Sequence, residues 1–396
     1  MMRHDGAALR VLYIGGTGTI STSCVRLSVE SGMSVFVLNR SNNSAARQLP
    51  EGVTWLTGDV TDDASLRAAI GDQRFDSVIN FLSYDADDVR RMVAMFGSRA
   101  RQYVHISSGS IYAKPVQQSP ISESTPIAPN PVLPYATAKW RAELALQQAR
   151  TENGFPVTIV RPSHTYDDAN PPVPGGWTLV DRIARGAEIP VHGDGTSLWT
   201  LTHAEDFAKG LVGLLGNPRT IGEVFNITGE DVYTWDQIYT ILASALGVEA
   251  KLVHVASELF PVVAPDWFWS GEVLGDIGHT GVFDTTKIRR FVPGFAPKLT
   301  FHRAALRMVQ WREDHQTRPA LTRRPMPSWT ASSTPTTRRG KSSPTGLRSL
   351  LELACEPAFD SVPPRARRHW PGRHADLLRD QPACQHGRAV RVRRRG

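Results

Sequence analysis

The sequence predicts an α/β fold: a doubly wound parallel sheet, then a smaller C-terminal lobe and a basic tail. Three observations predict it. Short β-branched runs alternate with helical patterns between residues 10 and 160, which is the signature of βαβ units. A glycine-rich stretch follows directly on the first of those runs. After Arg161 the alternation stops, and a Pro- and Gly-rich loop, NPPVPGG at 170–176, opens a less periodic region.

The predicted strands are RVLYI (10–14), SVFVL (34–38), VTWL (53–56), SVIN (77–80), QYVHI (102–106) and PVTIV (156–160), with helices between them at 20–30, 63–70, 86–97 and 135–151. Right-handed crossovers place such strands in one sheet, with ligands at their carboxyl ends. Further helices are expected at 177–185, 204–215 and 234–246, and the amphipathic stretch FHRAALRMVQWREDH (301–315) closes the globular part. These boundaries give a nucleotide-binding domain over 1–165, a substrate lobe over 166–316 that returns some elements to the sheet, and a low-complexity tail over 317–396.

At 396 residues with 41% apolar composition, the chain is long enough to bury a substantial core. No apolar run approaches the ~20 residues of a membrane helix, and the start MMRHDGAALR lacks the apolar core of a secretory signal, so a cytoplasmic protein is expected. Cys24, Cys355 and Cys384 have no CxxC spacing, which suggests neither a zinc site nor a disulfide framework; Cys24 is expected to be a small buried apolar residue. Of the 45 Lys+Arg and 38 Asp+Glu, residues 317–396 hold 17 and 5, leaving 28 and 33 for a mildly acidic body. The Pro-, Ser-, Thr- and Arg-rich tail buries too little apolar surface to offset the entropy of ordering. Two readings of it stand: a solvated appendage, or an arm for nucleic acid or another acidic partner.

The first strand runs into Gly15-Gly16-Thr17-Gly18-Thr19-Ile20-Ser21 and then a helix. Glycines let a backbone turn tightly and approach a pyrophosphate, whose charge is drawn to the free N–H groups and positive dipole of the helix N-terminus. Ser21 stands where a third glycine is expected, which implies a slightly wider helix–sheet spacing. The second strand ends in Asn39-Arg40, where an NAD site usually presents a carboxylate to the ribose. Arg40 therefore either pairs with a 2′-phosphate, favouring NADP(H) over NAD(H), or is a solvated loop residue. Asp59-Val60 is placed to meet the adenine, and Asn80-Phe81-Leu82 leads towards the nicotinamide side.

Oxidation or reduction of an alcohol requires a group that moves the hydroxyl proton while the cofactor handles the hydride. In Pro134-Tyr135-Ala136-Thr137-Ala138-Lys139 the Tyr and Lys are four apart, on one face of a predicted helix. An ammonium beside the phenol is expected to lower its pKa. Upstream, SSGSIY leaves the fifth strand at its carboxyl end, where Ser108 can hold the substrate oxygen.

The glycine loop, SSGSIY and PYATAKW resemble the extended short-chain dehydrogenase/reductase superfamily, and within it the NAD-dependent epimerase/dehydratase family, over about residues 10–315. The resemblance implies that Tyr135 is the general acid/base, Lys139 its partner and a ribose ligand, and Ser108 the third catalytic member. It places Pro162 and His164, in RPSHTY, against the nicotinamide and substrate, and makes HAED (203–206) and VFNI (224–227) landmarks of the substrate lobe. Tyr84, Ser110, His164, Trp199 and His203 are the candidate substrate contacts. A homodimer through the Tyr135 helix and the helix before it is a further implication.

Two departures narrow the chemistry. Gly109-Ser110 stands where sugar-nucleotide 4,6-dehydratases of this family carry an Asp-Glu pair, which argues against that elimination. Trp199 stands where many nucleotide-sugar epimerases carry a diphosphate-binding arginine; it offers stacking and an indole donor, or simply core packing. The sequence GVFDTTKIRRFVP (281–293) is similar to an atypical branch that includes chloroplast stem-loop binding proteins. The expected function is an NAD(P)-dependent oxidoreductase acting on a hydroxyl or keto group of a sugar or sugar nucleotide. The alternative is a nucleotide- or RNA-binding protein on the same fold, with nucleic acid contacted through the basic tail.

Overall fold

The computed structural model describes residues 6–40 and 48–315; the expected tail at 317–396 lies outside the described residues. β1 (Arg10–Ile14), β2 (Ser34–Asn39), β3 (Thr54–Thr57), β4 (Phe75–Asn80), β5 (Ala100–Ile106) and β6 (Val157–Pro162) form on the β-branched runs, connected by α1 (Ser21–Glu30), α2 (Asp63–Ile70), α3 (Ala86–Phe96) and α4 (Pro134–Asn153). All six strands are parallel, in the order β3-β2-β1-β4-β5-β6. The order reverses between β1 and β4, so the chain leaves these two strands on either side of one crevice, the place where open α/β sheets bind ligands.

Strand alternation decides which helix covers which face. Val11 and Tyr13 point, with Val35, Val37 and Val104, at Cys24 and Val25 of α1. Leu12 and Ile14 point the other way, with Phe36 and Val78, at Leu66 of α2, Met92 of α3 and Leu146 of α4. Cys24 is fully buried, as the apolar reading expects.

The remaining elements are β7 (His164–Tyr166), α5 (Trp177–Ala184), β8 (Glu188–His192), β9 (Leu198–His203), α6 (Ala204–Leu214), β10 (Val224–Ile227), β11 (Val232–Thr234), α7 (Trp235–Ala245), β12 (Lys251–Val255), α8 (Leu259–Val263), α9 (Phe268–Glu272), α10 (Thr286–Phe291) and α11 (Phe301–His315), with a π-helical turn at Val273–Ile277. β7, β9 and β11 form one small sheet, β8 and β12 another. The second lobe is cored by Trp199, Trp235, Tyr239, Leu242, Phe301 and Met308.

Two sequence landmarks belong elsewhere than expected. VFNI is the seventh strand of the large sheet, paired in parallel with β6, because Phe225 and Ile227 are fully buried and the outer edge of β6 is where an apolar strand can lose its unpaired backbone groups. HAED starts α6, which packs Phe207 and Leu211 against the α1 face of that sheet. Both are thus among the elements after residue 165 that return to the large sheet, as the domain reading expects some to do. No helix among the described residues is long and apolar enough to cross a membrane.

Candidate active site

The start of α4 is fixed before its functional residues appear. Asn130 Oδ1 accepts from the N–H groups of Val132 and Leu133 at 3.1 and 3.0 Å, and Thr137 Oγ1 accepts from Asn130 N and donates to Asn130 O, both at 2.8 Å. Pro134 then occupies the first helical position, where its missing N–H costs nothing. Tyr135 follows in the first turn, with Lys139 one turn further on.

Lys139 Nζ is buried and donates to the carbonyls of Ser83 and Ile106 at 2.7 and 2.9 Å, which ties α4 to the loops leaving β4 and β5. Burial brings its pKa down to about 7, opposed by the carboxylates of Asp88, Glu143 and Asp85. The Tyr84 ring lies 4.7 Å from Lys139 Nζ and 6.5 Å, centroid to centroid, from Tyr135.

Ser108 is extended, and its hydroxyl caps the short turn Gly109–Ile111: Ser110 N donates to Ser108 Oγ at 3.1 Å, and the Ser110 hydroxyl lies 2.8 Å away. The Ser108 side chain also acts on Tyr135, opposing the rise of its phenol pKa. Gly109 is required by close approach, since a Cβ there would stand 2.8 Å from the Phe283 ring and 3.1 Å from the Pro162 carbonyl. No aspartate fits in its place without displacing Phe283.

One expectation is corrected. The Tyr135 phenol lies above its ordinary value, not below it, chiefly through burial, with Tyr84, Glu272 and Asp276 adding to the rise and Ser108 opposing it. Lys139 does not offset this because its ammonium is committed to two carbonyls and is itself desolvated.

At the β1–α1 turn, Gly15 has φ +86°, and a Cβ there would lie 2.7 Å from Leu82 Cγ; one on Gly16 would lie 2.8 Å from Val37 Cγ1. The loop therefore keeps the flat cradle that a pyrophosphate needs. Ile20 provides no side-chain cap for α1, and the first turn of the helix carries no acid, so its N–H groups and positive dipole suit an anion. Ser21 is buried and its Oγ accepts from Gly18 N at 2.7 Å, so the serine is used as a hydrogen-bond acceptor inside the turn. Asn39 Nδ2 donates to Thr17 Oγ1 at 3.1 Å, which links β2 to the glycine loop near Thr19; the next residue, Arg40, is exposed. Asp59 Oδ1 accepts from Thr61 N and Oγ1 at 2.8 and 2.6 Å, and Val60 is buried. These residues fit a dinucleotide lying across the carboxyl ends of β1 to β4. Asn80 differs from expectation: its amide donates to Ser83 Oγ and Tyr103 Oη at 2.7 and 2.9 Å and its Oδ1 accepts from Leu82 N. Its side chain shapes the loop after β4 and is not offered to a ligand.

Of the remaining candidates, Pro162 ends β6 beside Gly109, and the His164 ring sits 5.7–6.2 Å from the rings of Trp199, Trp235 and Trp269. Burial lowers the His164 pKa to about 4, so the imidazole is neutral near pH 7. Trp199 and His203 depart from their expected roles. The Trp199 indole N–H is taken by the carbonyls of Ile277 and His279 at 3.0 and 2.7 Å, with the side chain buried, so it packs and offers no donor. His203 Nδ1 accepts from Glu205 N as the cap of α6, and Nε2 lies 3.2 Å from Asp168 Oδ1, which also pairs with Arg307. Its hydrogen bonds hold β9, α6 and α11 together and do not run towards Tyr135.

The structure adds groups that the sequence did not point to. Lys114 and Asp276 form a buried ion pair, Nζ to Oδ1 2.8 Å, and Glu272 is buried with them, its carboxyl pushed well above the usual range by burial and by Asp276. Both acids act on Tyr135. The only signal was a pair of acids four apart in the aromatic run WFWSGEVLGDI (267–277).

A profile of the NAD dependent epimerase/dehydratase family matches residues 11–228, more than half of the chain. The chloroplast stem-loop binding protein of 41 kDa b of Arabidopsis thaliana is 26% identical over 257 residues, 62% of this chain and 65% of that protein, so the match spans just under two thirds of the relative's length. The dTDP-glucose 4,6-dehydratase of Streptomyces niveus is 24% identical over 337 residues, 78% of this chain and 94% of the relative. Among solved structures, dTDP-glucose 4,6-dehydratase from Bacillus anthracis in complex with NAD superposes with a TM-score of 0.63 at 21% identity, covering 78% of this chain and 98% of that one.

Proposed function

The chain belongs to the NAD-dependent epimerase/dehydratase family, and from that premise we propose that it is an oxidoreductase of a sugar nucleotide, with Tyr135, Lys139 and Ser108 as its proton-handling set. The observation that carries the reading is Tyr135 and Lys139 one helical turn apart at the start of α4, with Lys139 Nζ tied to the Ile106 carbonyl at the carboxyl end of β5, two residues before Ser108.

A bound nicotinamide dinucleotide supplies the hydride acceptor and donor. Gly15, Thr17, Gly18, Thr19 and Ile20 would hold its diphosphate, and Asp59, Val60 and Leu82 would line its site. Arg40, exposed and without a neighbouring acid at Asn39, favours a 2′-phosphate and hence NADP(H). The protein groups then divide the proton work. A phenol with a raised pKa is an acid, so Tyr135 gives its proton to the oxygen of a keto substrate as that oxygen gains charge, while the Ser108 hydroxyl donates a second hydrogen bond to it. In the oxidative direction Tyr135 must first lose that proton. Lys139, titrating near neutrality, would favour the phenolate only on leaving the Ser83 and Ile106 carbonyls that hold it here. Retention of the ketone and its reduction on the other face gives epimerisation; release gives a plain dehydrogenase. Gly109-Ser110, in place of an acidic pair, speaks for these outcomes over 4,6-elimination.

The test is a calorimetric titration of the full chain with NAD(H) and NADP(H), for wild type and Lys139→Ala, followed by turnover of UDP-glucose and dTDP-glucose by wild type and Tyr135→Phe. Cofactor binding weakened by Lys139→Ala, and turnover lost in Tyr135→Phe by about 100-fold or more, support the reading. Absence of binding by either cofactor overturns it.

A further inference from the structure

The segment from Trp267 to Phe283 lies against the Tyr135 pocket. Asn130 Nδ2 donates to the Gly275 carbonyl at 2.8 Å, and a Cβ on Gly275 would lie 3.0 Å from Leu133 Cβ, so the segment is docked on the turn that starts α4. Trp269 reaches the His164 ring, and Phe283 meets Gly109 beside Ser108. The same segment brings Glu272 and Asp276 within electrostatic range of Tyr135. Lys114, two residues beyond the buried Tyr112, meets the segment at Asp276, with Nζ 5.5 Å from the Trp199 ring centroid.

A buried ion pair usually spends all its hydrogen-bonding capacity internally. This one does not. Lys114 and Asp276 have side chains 6% and 5% exposed, and Lys114 Nζ stands 2.8 Å from Asp276 Oδ1, but neither atom has a further hydrogen-bond partner. The ammonium, with three N–H groups, therefore keeps donors to spare beside its carboxylate, with a third polar group, the Glu272 carboxyl, alongside.

From this juxtaposition we propose that Lys114, Asp276 and Glu272 form the sugar-reading end of the site and select a neutral hexose ring over a uronic acid. The inference rests on the reading that a sugar nucleotide is the substrate. Each sugar hydroxyl both donates and accepts, which matches the spare ammonium N–H groups of Lys114 beside the carboxyl groups of Asp276 and Glu272. One ammonium already faces two carboxyl groups here. A uronate would bring a third acid into the same buried space with no further cation, and that charge is costly when unpaired.

The test uses the full chain loaded with NAD(H) and titrated with UDP-glucose, dTDP-glucose, UDP-glucuronate and UDP alone, read by calorimetry or tryptophan quenching. A glucose nucleotide is expected to bind on the order of a hundred-fold tighter than UDP-glucuronate. Asp276→Asn frees the Lys114 charge and is expected to shift the ratio towards glucuronate by about ten-fold or more. Should that variant fail to fold, Lys114→Met/Asp276→Asn, which removes both charges, is expected to lose affinity for the glucose nucleotides while keeping that for UDP. Binding of glucose and glucuronate nucleotides within about three-fold of each other, or an unchanged ratio in Asp276→Asn, overturns this inference and leaves the sugar-nucleotide reading standing. No binding of any of the sugar nucleotides sinks both.

Discussion

Gly15→Ala offers a worked test of the cofactor cradle. Gly15 has φ +86°, in the region that side chains rarely adopt, and a Cβ added there meets Leu82 at 2.7, 3.0 and 3.1 Å for Cγ, Cδ2 and Cδ1. Backbone strain at such a position costs about 1–3 kcal/mol, and forcing a methyl group into a filled space about 1–3 kcal/mol more. The sum, about 2–6 kcal/mol, is reduced if Leu82 rotates away. The same strain moves the turn that would carry the diphosphate, so the variant is expected to lose both stability, by urea titration, and cofactor affinity, by calorimetry. A cycle with Leu82→Ala separates the two terms: removing the leucine relieves the clash but not the φ strain, so the double variant should be less damaged than the sum of the singles by about 1 kcal/mol. A Gly15→Ala protein with unchanged urea midpoint and cofactor affinity, or a cycle with no coupling, would refute the argument.

Further predictions concern charges. Glu143 and Arg161 form a buried bidentate pair, 2.6 and 2.9 Å, between α4 and β6; Glu143→Gln strands the guanidinium and should cost about 3–5 kcal/mol of stability in urea titration, whereas an effect below about 0.5 kcal/mol contradicts that account. His164 is held neutral by burial, its pKa lowered to about 4 while the unfolded chain protonates near 6.5. The unfolded state therefore binds more protons as pH falls between these values, and stability drops over that window by up to about 3 kcal/mol; His164→Gln should flatten this acid limb of the melting-temperature profile, and an unchanged limb excludes His164 as its source. Arg40→Glu should weaken NADP(H) at least about ten-fold while sparing NAD(H), and equal losses for both cofactors would remove the 2′-phosphate role from Arg40.

The sheet was legible because its inner strands are buried on both faces: β1, β2 and β4 to β6 fall on apolar β-branched runs, with β3 an exposed edge strand, and α2 occupies residues Asp63–Ile70, the span its pattern predicts. The turn after β1 was legible for a different reason, since glycines at forced backbone positions leave a local mark. What the sequence hid was long-range. VFNI is three apolar residues around Asn226, with no sign of which strand it pairs with, and only the assembled fold shows it beside β6. Trp199 stands at a position that invites a ligand-binding reading, and its burial depends on the carbonyls of Ile277 and His279, about 80 residues away. The Tyr135 pKa could not be inferred from its neighbour at 139, because the groups that raise it, Tyr84, Glu272 and Asp276, come from distant parts of the chain.

The placement of the 267–283 segment has a consequence for how such a protein diverges. The cofactor cradle, the proton-handling residues and all seven strands of the large sheet lie before residue 228, whereas Trp269, Glu272, Asp276 and Phe283 arrive after it. On the proposed function, the hydride- and proton-handling residues would then lie in one stretch of the chain, and all of the proposed sugar-reading groups but Lys114 in another. Exchange of one short segment, anchored by Asn130 to Gly275, can rewrite what the protein accepts while leaving untouched the parts that move hydride and proton.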